Sequence, residues 1–244
     1  MKILHLDIET FPNTVYTWGL WDQNIGIDMI EEPGKVACWG AMWEGADEVM
    51  FDSVHQSTQL QMLRGIHKLI NEADAVCTYN GDKFDLPWLR GDFIRVGLAP
   101  TAPVKSIDLL KTVRTQFRFP SNKLQYVSQA LGIGEKVDTG GFELWKGCMN
   151  GDEDSWKLME EYNIQDVLLL QRLYARIKGF IKNHPNHSLF TGHLVCPNCG
   201  SDHRRIRGYS DTAAGRYHRF QCKDCGKYYR GNQNVAAKEK MLPL

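Results

Sequence analysis

The stretch ILHLDIET, residues 3–10, constrains the fold more than any other feature. It is apolar enough for a buried strand, yet it ends in two carboxylates spaced two residues apart. Side chains alternate across a strand, so Leu4, Leu6 and Ile8 share one face. Ile3, His5, Asp7 and Glu9 share the other. Two anions held side by side repel each other, and a cation between them removes that cost. The strand therefore points to a metal site.

A second constraint lies near the C-terminus. CPNCG from Cys196 and CKDCG from Cys222 form CxxC–x22–CxxC. Four thiolates, Cys196, Cys199, Cys222 and Cys225, suit one tetrahedral Zn²⁺. A glycine follows each pair and permits the tight turn beneath a zinc knuckle. With four protein ligands the site is closed, so its expected role is structural. His193, His203 and His218 are spare ligands. Disulfide or redox chemistry is the competing reading. Cys38, Cys77 and Cys148 stand alone, which fits a reducing compartment better than a disulfide framework.

The chain has 244 residues, 43% hydrophobic and 24% charged, enough for one sizeable domain and a small one. Its net charge is zero but unevenly spread. Residues 1–190 carry 19 Lys+Arg against 25 Asp+Glu, and residues 191–244 carry 10 against 4. A basic module on an acidic body predicts that the C-terminal part handles a polyanion. Asp7 and Glu9 interrupt the first apolar run, which argues against a signal peptide. No apolar stretch reaches the roughly 20 residues needed to span a bilayer, so the expected location is the cytoplasm.

Residues 2–8, 15–22 (VYTWGLWD) and 35–43 (KVACWGAMW) read as strands from their β-branched and aromatic content. Leu60, Leu63, Ile66 and Ile70 predict a helix over 56–71. Residues 75–80 read as a buried strand, 86–96 as a helix with Pro87 in its first turn, and 106–110 as a strand. Ser121 is the expected cap of a helix ended by Gly132. A long helix spans about 154–182. Strands followed by strand–helix alternation predict an α/β domain with a mixed sheet flanked by helices. The expected boundaries are a catalytic domain over 1–183, a linker over 184–192, a zinc ribbon over 193–232 and a tail over 233–244.

Three more residues belong with Asp7 and Glu9. Asp85 follows a turn in YNGDKFDLPWL, where capping of the next helix is the simpler reading. Asp166 interrupts the apolar stripe Trp156, Met159, Asn163, Leu170, Leu173, Ile177. A carboxylate there is costly unless paired or bound to metal. Tyr162 stands one turn earlier on the same side.

DxE on a strand, NxxxFD at a helix start and YxxxD on a late helix occur in that order. This arrangement resembles the DEDD 3′–5′ exonuclease superfamily (DnaQ-like, ribonuclease H-like fold), in its tyrosine subclass. The second motif is similar to that of the proofreading domain of family-B DNA polymerases. The set as a whole is similar to free-standing phage exonucleases. The resemblance covers about residues 1–180. It implies that Asp7, Glu9, Asp85 and Asp166 hold two Mg²⁺ or Mn²⁺ ions, and that Tyr162 orients the attacking water. It also implies contacts from Thr10 and Phe11 to the 3′-terminal nucleotide, and a bond from Asn80 to backbone or substrate. Phe11 as a core residue, and Lys83, Lys123 and Asp108 in supporting roles, stay open.

Arg204, Arg205, Arg207, Arg216 and Arg219 alternate with aromatics in the cysteine module, a pattern that fits phosphate contact with base stacking. Phe220 and Tyr228 are the expected mini-core. The expectation is a 3′–5′ exonuclease acting on DNA, with RNA as the near alternative and a replication protein as a further partner. A non-catalytic nucleic-acid adaptor and a structure-specific endonuclease are the readings from other classes.

Overall fold

The computed structural model describes residues 1–236. The end of the expected tail, residues 237–244, lies outside them. The chain divides into two compact units, Lys2–Tyr174 and the part from Ala175 onward.

The first unit holds strands Ile3–Phe11 (β1), Thr14–Val15 (β2), Ile30–Glu32 (β3), Lys35–Trp43 (β4) and Met50–Ser53 (β5). Helix Gln59–Glu72 (α1), strand Ala75–Thr78 (β6), helix Asp85–Arg95 (α2) and strand Lys105–Asp108 (β7) follow. Helices Leu109–Gln116 (α3), Leu124–Ala130 (α4), Glu143–Met149 (α5) and Glu153–Ile177 (α6) complete the series. Five strands form a mixed sheet in the order β5-β4-β1-β6-β7. The β1–β4 and β4–β5 pairs are antiparallel, whereas β1–β6 and β6–β7 are parallel. The expected α/β fold with a mixed sheet and flanking helices is therefore present.

Strand alternation divides the core. Leu4, Leu6 and Ile8 pack with Met62, Leu63, Ile66, Leu89 and Phe93 from α1 and α2. On the opposite side Phe11, Ala37 and Cys38 pack with Leu144, Trp156 and Met159 from α5 and α6. Every member of the stripe from Trp156 to Ile177, Asn163 and Asp166 included, is buried. The Asp7/Glu9 face thus looks onto α6, and both carboxylates are partly buried there.

Several expected elements differ. Of residues 15–22 only Val15 is strand. Trp18 is fully exposed, and Leu20 and Trp21 nearly so. Strand propensity expresses packing on a half-buried surface, and among the described residues the large side chains of this segment are left exposed. Residues 109–110 begin α3 instead of ending a strand, because Asp108 accepts the Leu110 N–H as its N-cap. Ser121 lies outside the α4 cap, which falls at Lys123. The short helix α5 was not anticipated.

The second unit contains helix Ser188–Thr191 (α7) and strands Arg204–Thr212 (β8), Gly215–Cys222 (β9) and Tyr228–Asn234 (β10), paired antiparallel in the order β10-β9-β8. It begins earlier than the expected boundary. The Lys178 carbonyl accepts from Asn198 Nδ2 at 2.6 Å, and the Ile181 carbonyl from Lys227 Nζ at 2.7 Å. The expected linker is also part of this unit, since the His187 N–H donates to the Pro197 carbonyl at 2.8 Å.

Candidate active site

Asp7 pairs with Gly40 across β1–β4, and the register slips just after Glu9. Such a bulge re-aims side chains at the end of a strand. Gly40 has no side chain, and a Cβ there would stand 2.5 Å from Asn163 Oδ1. The gap lets Asn163 of α6 come close, and its Nδ2 donates to Asp7 Oδ2 at 2.8 Å. That bond fixes one carboxylate. A one-residue shift along the same helix would leave Asp166 pointing elsewhere.

Asp85 arrives from the other side. Asn80 adopts a left-handed backbone (φ 76°), which asparagine tolerates better than most residues. Its N–H donates to Asp108 Oδ1 at 3.0 Å, so Asp108 holds both this turn and the α3 terminus. The turn delivers Asp85 to the first position of α2. Its carboxylate does not cap that helix: it accepts from the Ile8 N–H of β1 at 3.2 Å and is buried.

One ligand oxygen each from Asp7, Glu9 and Asp166 lies within 4.8 Å of the others. Burial raises all of these carboxyls. Asp7 is raised further by Asp85, Asp166 and Glu9, Glu9 is pushed up to about 8, and Asp85 to about 7. Asp166 is also raised by burial, against the pull of Lys136. A buried oxygen of Asp166 has no hydrogen-bond partner. An oxygen-only donor set with mutually repelling carboxylates suits hard divalent cations.

Sequence reasoning missed Lys136. Its ammonium bonds Asp166 and donates to the Tyr162 hydroxyl at 3.1 Å. Burial acts to lower this lysine, but Asp166 and Tyr162 outweigh it and raise it. It lies in an irregular stretch between α4 and α5, where no periodicity signals its position. The Tyr162 ring packs edge-on against Trp145, with centroids 6.2 Å apart. Asp7, Tyr162 and Asp166 line a cleft of about 650 Å³, walled also by Asn80, Arg114, Lys123 and Lys136.

The remaining first-unit residues are placed less favourably. Thr10 is half-buried beside the bulge. The Phe11 ring is 8% exposed and packs against Trp156, so its faces are covered by core and are not open to a base. Lys83 is exposed, and buried His5 bonds Glu44 at 2.8 Å.

In the second unit, the four cysteine sulfurs lie within 4.8 Å of one another. Cys196 and Cys225 Sγ are 3.7 Å apart, and Cys199 and Cys222 Sγ 3.6 Å. A ZnS₄ tetrahedron with Zn–S near 2.3 Å has an edge of about 3.8 Å, so the set fits zinc and is too wide for disulfides. Gly200 and Gly226, one after each pair, both take positive φ. No histidine joins the four. Phe220 stacks on Tyr229, not Tyr228, which is half exposed.

The α/β architecture, with a carboxylate cluster at the carboxyl end of its central strand, is that of a ribonuclease H-like protein. A family model of the RNase_H superfamily matches residues 4–178, and the chain belongs to that superfamily. It is 26% identical over 192 residues to a DNA polymerase of Thermococcus litoralis and 25% identical to one of Thermococcus aggregans. The matches cover 68% of this chain but only 11% and 10% of those polymerases, so the chain spans about a tenth of their length. The fold is also similar to that of the family B DNA polymerase from Pyrobaculum calidifontis. There the TM-score is 0.53 at 17% identity, covering 73% of this chain and 24% of that one.

Proposed function

We propose that the chain is a metal-dependent 3′–5′ exonuclease that hydrolyses DNA from frayed or single-stranded 3′ ends, with a zinc-stabilised ribbon that helps hold the strand. The observation that carries this reading is the meeting of Asp7, Glu9 and Asp166 within 4.8 Å from a strand and a helix over 150 residues apart in sequence. Asp7, Glu9, Asp85 and Asp166 would hold two Mg²⁺ or Mn²⁺, and Cys196, Cys199, Cys222 and Cys225 one structural Zn²⁺. When bound, the divalent ions make water nucleophilic and stabilise charge on the leaving 3′ oxygen.

The protein groups supply the rest. Asn163 holds Asp7 in one rotamer, and the Ile8 N–H holds Asp85. Tyr162 presents its hydroxyl toward the cleft and orients the attacking water. Arg114 and Lys123 on the cleft wall offer positive charge to the strand's phosphates. Water adds to phosphorus, the P–O3′ bond breaks, and a 5′-nucleotide leaves a strand one residue shorter.

The test uses matched single strands of DNA and RNA labelled at the 5′ end, with Mg²⁺ or Mn²⁺, an EDTA control and Asp7→Ala alongside. The expected result is a metal-dependent ladder shortening from the 3′ end, absent in the variant and stronger on DNA. A ladder on RNA alone would assign an exoribonuclease. Intact binding with no cleavage of either strand would leave the adaptor reading in its place.

A further inference from the structure

We infer that one face of the three-stranded ribbon sheet carries the phosphate backbone of a single-stranded nucleic acid, and that the other face does not. This rests on the reading of the ribbon as a nucleic-acid module, and it specifies the surface.

The strand register assigns the faces. Residues directly opposite in an antiparallel ladder share a face. Gln221 lies opposite both Arg205 and Tyr228, and Arg219 lies opposite Arg230. Tyr217 and Arg207 join that face by alternation. Cys222, Phe220, His218 and Tyr229 lie on the other, together with Arg204.

The first face is electrostatically incomplete. Like charges directly opposite on a sheet destabilise it, and Arg219 and Arg230 are such a pair. Arg205 and Arg207 both donate to the single neutral oxygen Gln221 Oε1, at 2.8 Å and 3.3 Å. None of these four arginines has a carboxylate partner among the described residues. On the opposite face one of the two arginines is answered by a carboxylate. Arg216 is tied to Asp211 at 2.7 Å, and Arg204 lies over the Phe220 ring at 5.5 Å.

The aromatics indicate what completes the first face. Tyr228 is about half exposed, and the Arg230 guanidinium sits 4.4 Å from the Tyr217 ring centre. Four cations beside the half-exposed Tyr228 match a strand that offers phosphates and stackable bases together. An acidic polypeptide would answer only the charge.

Binding of a 5′-fluorescein dT20 probe decides the matter, measured by anisotropy against NaCl. The full chain is used in an Asp7→Ala background without added divalent ions, so the readout is independent of hydrolysis and of the exonuclease reading. Arg205→Gln with Arg219→Gln should weaken binding at least about tenfold and make the log–log salt slope shallower by about 1.4, from about 0.7 per lost phosphate contact. Tyr228→Ala should weaken it by about fivefold or more with the slope unchanged. Arg204→Gln with Arg216→Gln removes the same charge and should change affinity less than about twofold. Zinc content measured on each variant reports that the knuckles have formed. Should the arginine pair lose zinc, Tyr228→Ala decides alone, and unchanged affinity there overturns the inference. Equal weakening by the two arginine pairs overturns it, as does competition by polyglutamate equal to that of unlabelled dT20.

Discussion

Glu9 holds a carboxyl that the fold raises from 4.5 to about 8, through burial first and then the charge of Asp166. Between those two values the folded chain keeps a proton that the unfolded chain has lost. Stability of the metal-free protein must therefore fall as pH rises from about 4.5 to about 8, and remain low above it. Glu9→Gln removes that liability without changing size. Each pKa unit is worth about 1.4 kcal/mol, giving an upper bound of roughly 4–5 kcal/mol at pH 8. Glu9 is only partly buried, and solvent screens part of its charge, so the expected gain is about 1–3 kcal/mol, or roughly 3–8 °C in Tm. The assay is a thermal melt followed by circular dichroism at 222 nm, in metal-depleted buffers at pH 5 and pH 8. The helical signal comes mostly from the first unit. The variant should melt higher than the parent at pH 8, with a smaller difference at pH 5. Added Mn²⁺ should reverse the order at pH 8, because the parent alone retains the full ligand set. A variant less stable than the parent at pH 8 without metal would refute the claim that burying this carboxyl beside Asp166 costs stability.

Gly40→Ala should lower stability by about 1–3 kcal/mol, read as a drop in Tm, because its Cβ would meet Asn163 Oδ1 at 2.5 Å and Val167 Cγ2 at 3.0 Å. Asn163 would move off Asp7, so nuclease activity should fall even at temperatures where the variant is folded. Lys136→Met should destabilise the metal-free protein by about 1–3 kcal/mol by leaving buried Asp166 without its cation, and Mg²⁺ should narrow that loss in parallel melts. Cys196→Ser should abolish zinc binding, measured by metal analysis, and weaken binding of a single strand, while the melt of the first unit stays unchanged.

Much of the site was legible because it depends on short-range periodicity. Strand alternation put Asp7 and Glu9 on one face, and the spacing in α6 put Asn163 and Asp166 in one buried stripe with Tyr162 one turn before Asp166. The CxxC spacing likewise brought four sulfurs to tetrahedral distances. Other features needed the fold. Asp85 reads as a helix cap in isolation, yet its carboxylate crosses to β1. Asn163 reads as a filler in the stripe until Gly40 appears opposite it. Phe11 and Tyr228 have the composition of a stacking residue and a core residue, and the structure exchanges those surroundings.

The amino-acid sequence by itself determined which chemical groups share a strand face or a helix stripe, since alternation and helical spacing are properties of a few consecutive peptide units. Tertiary structure alone decided which of those faces meet. It brought Lys136 from an irregular segment onto Asp166, covered the ring of Phe11, left the Trp18 segment bare and separated the ribbon's paired arginines from its unanswered ones. Those outcomes follow from long-range packing and strand register, and a one-residue slip would reverse them without any change in local periodicity.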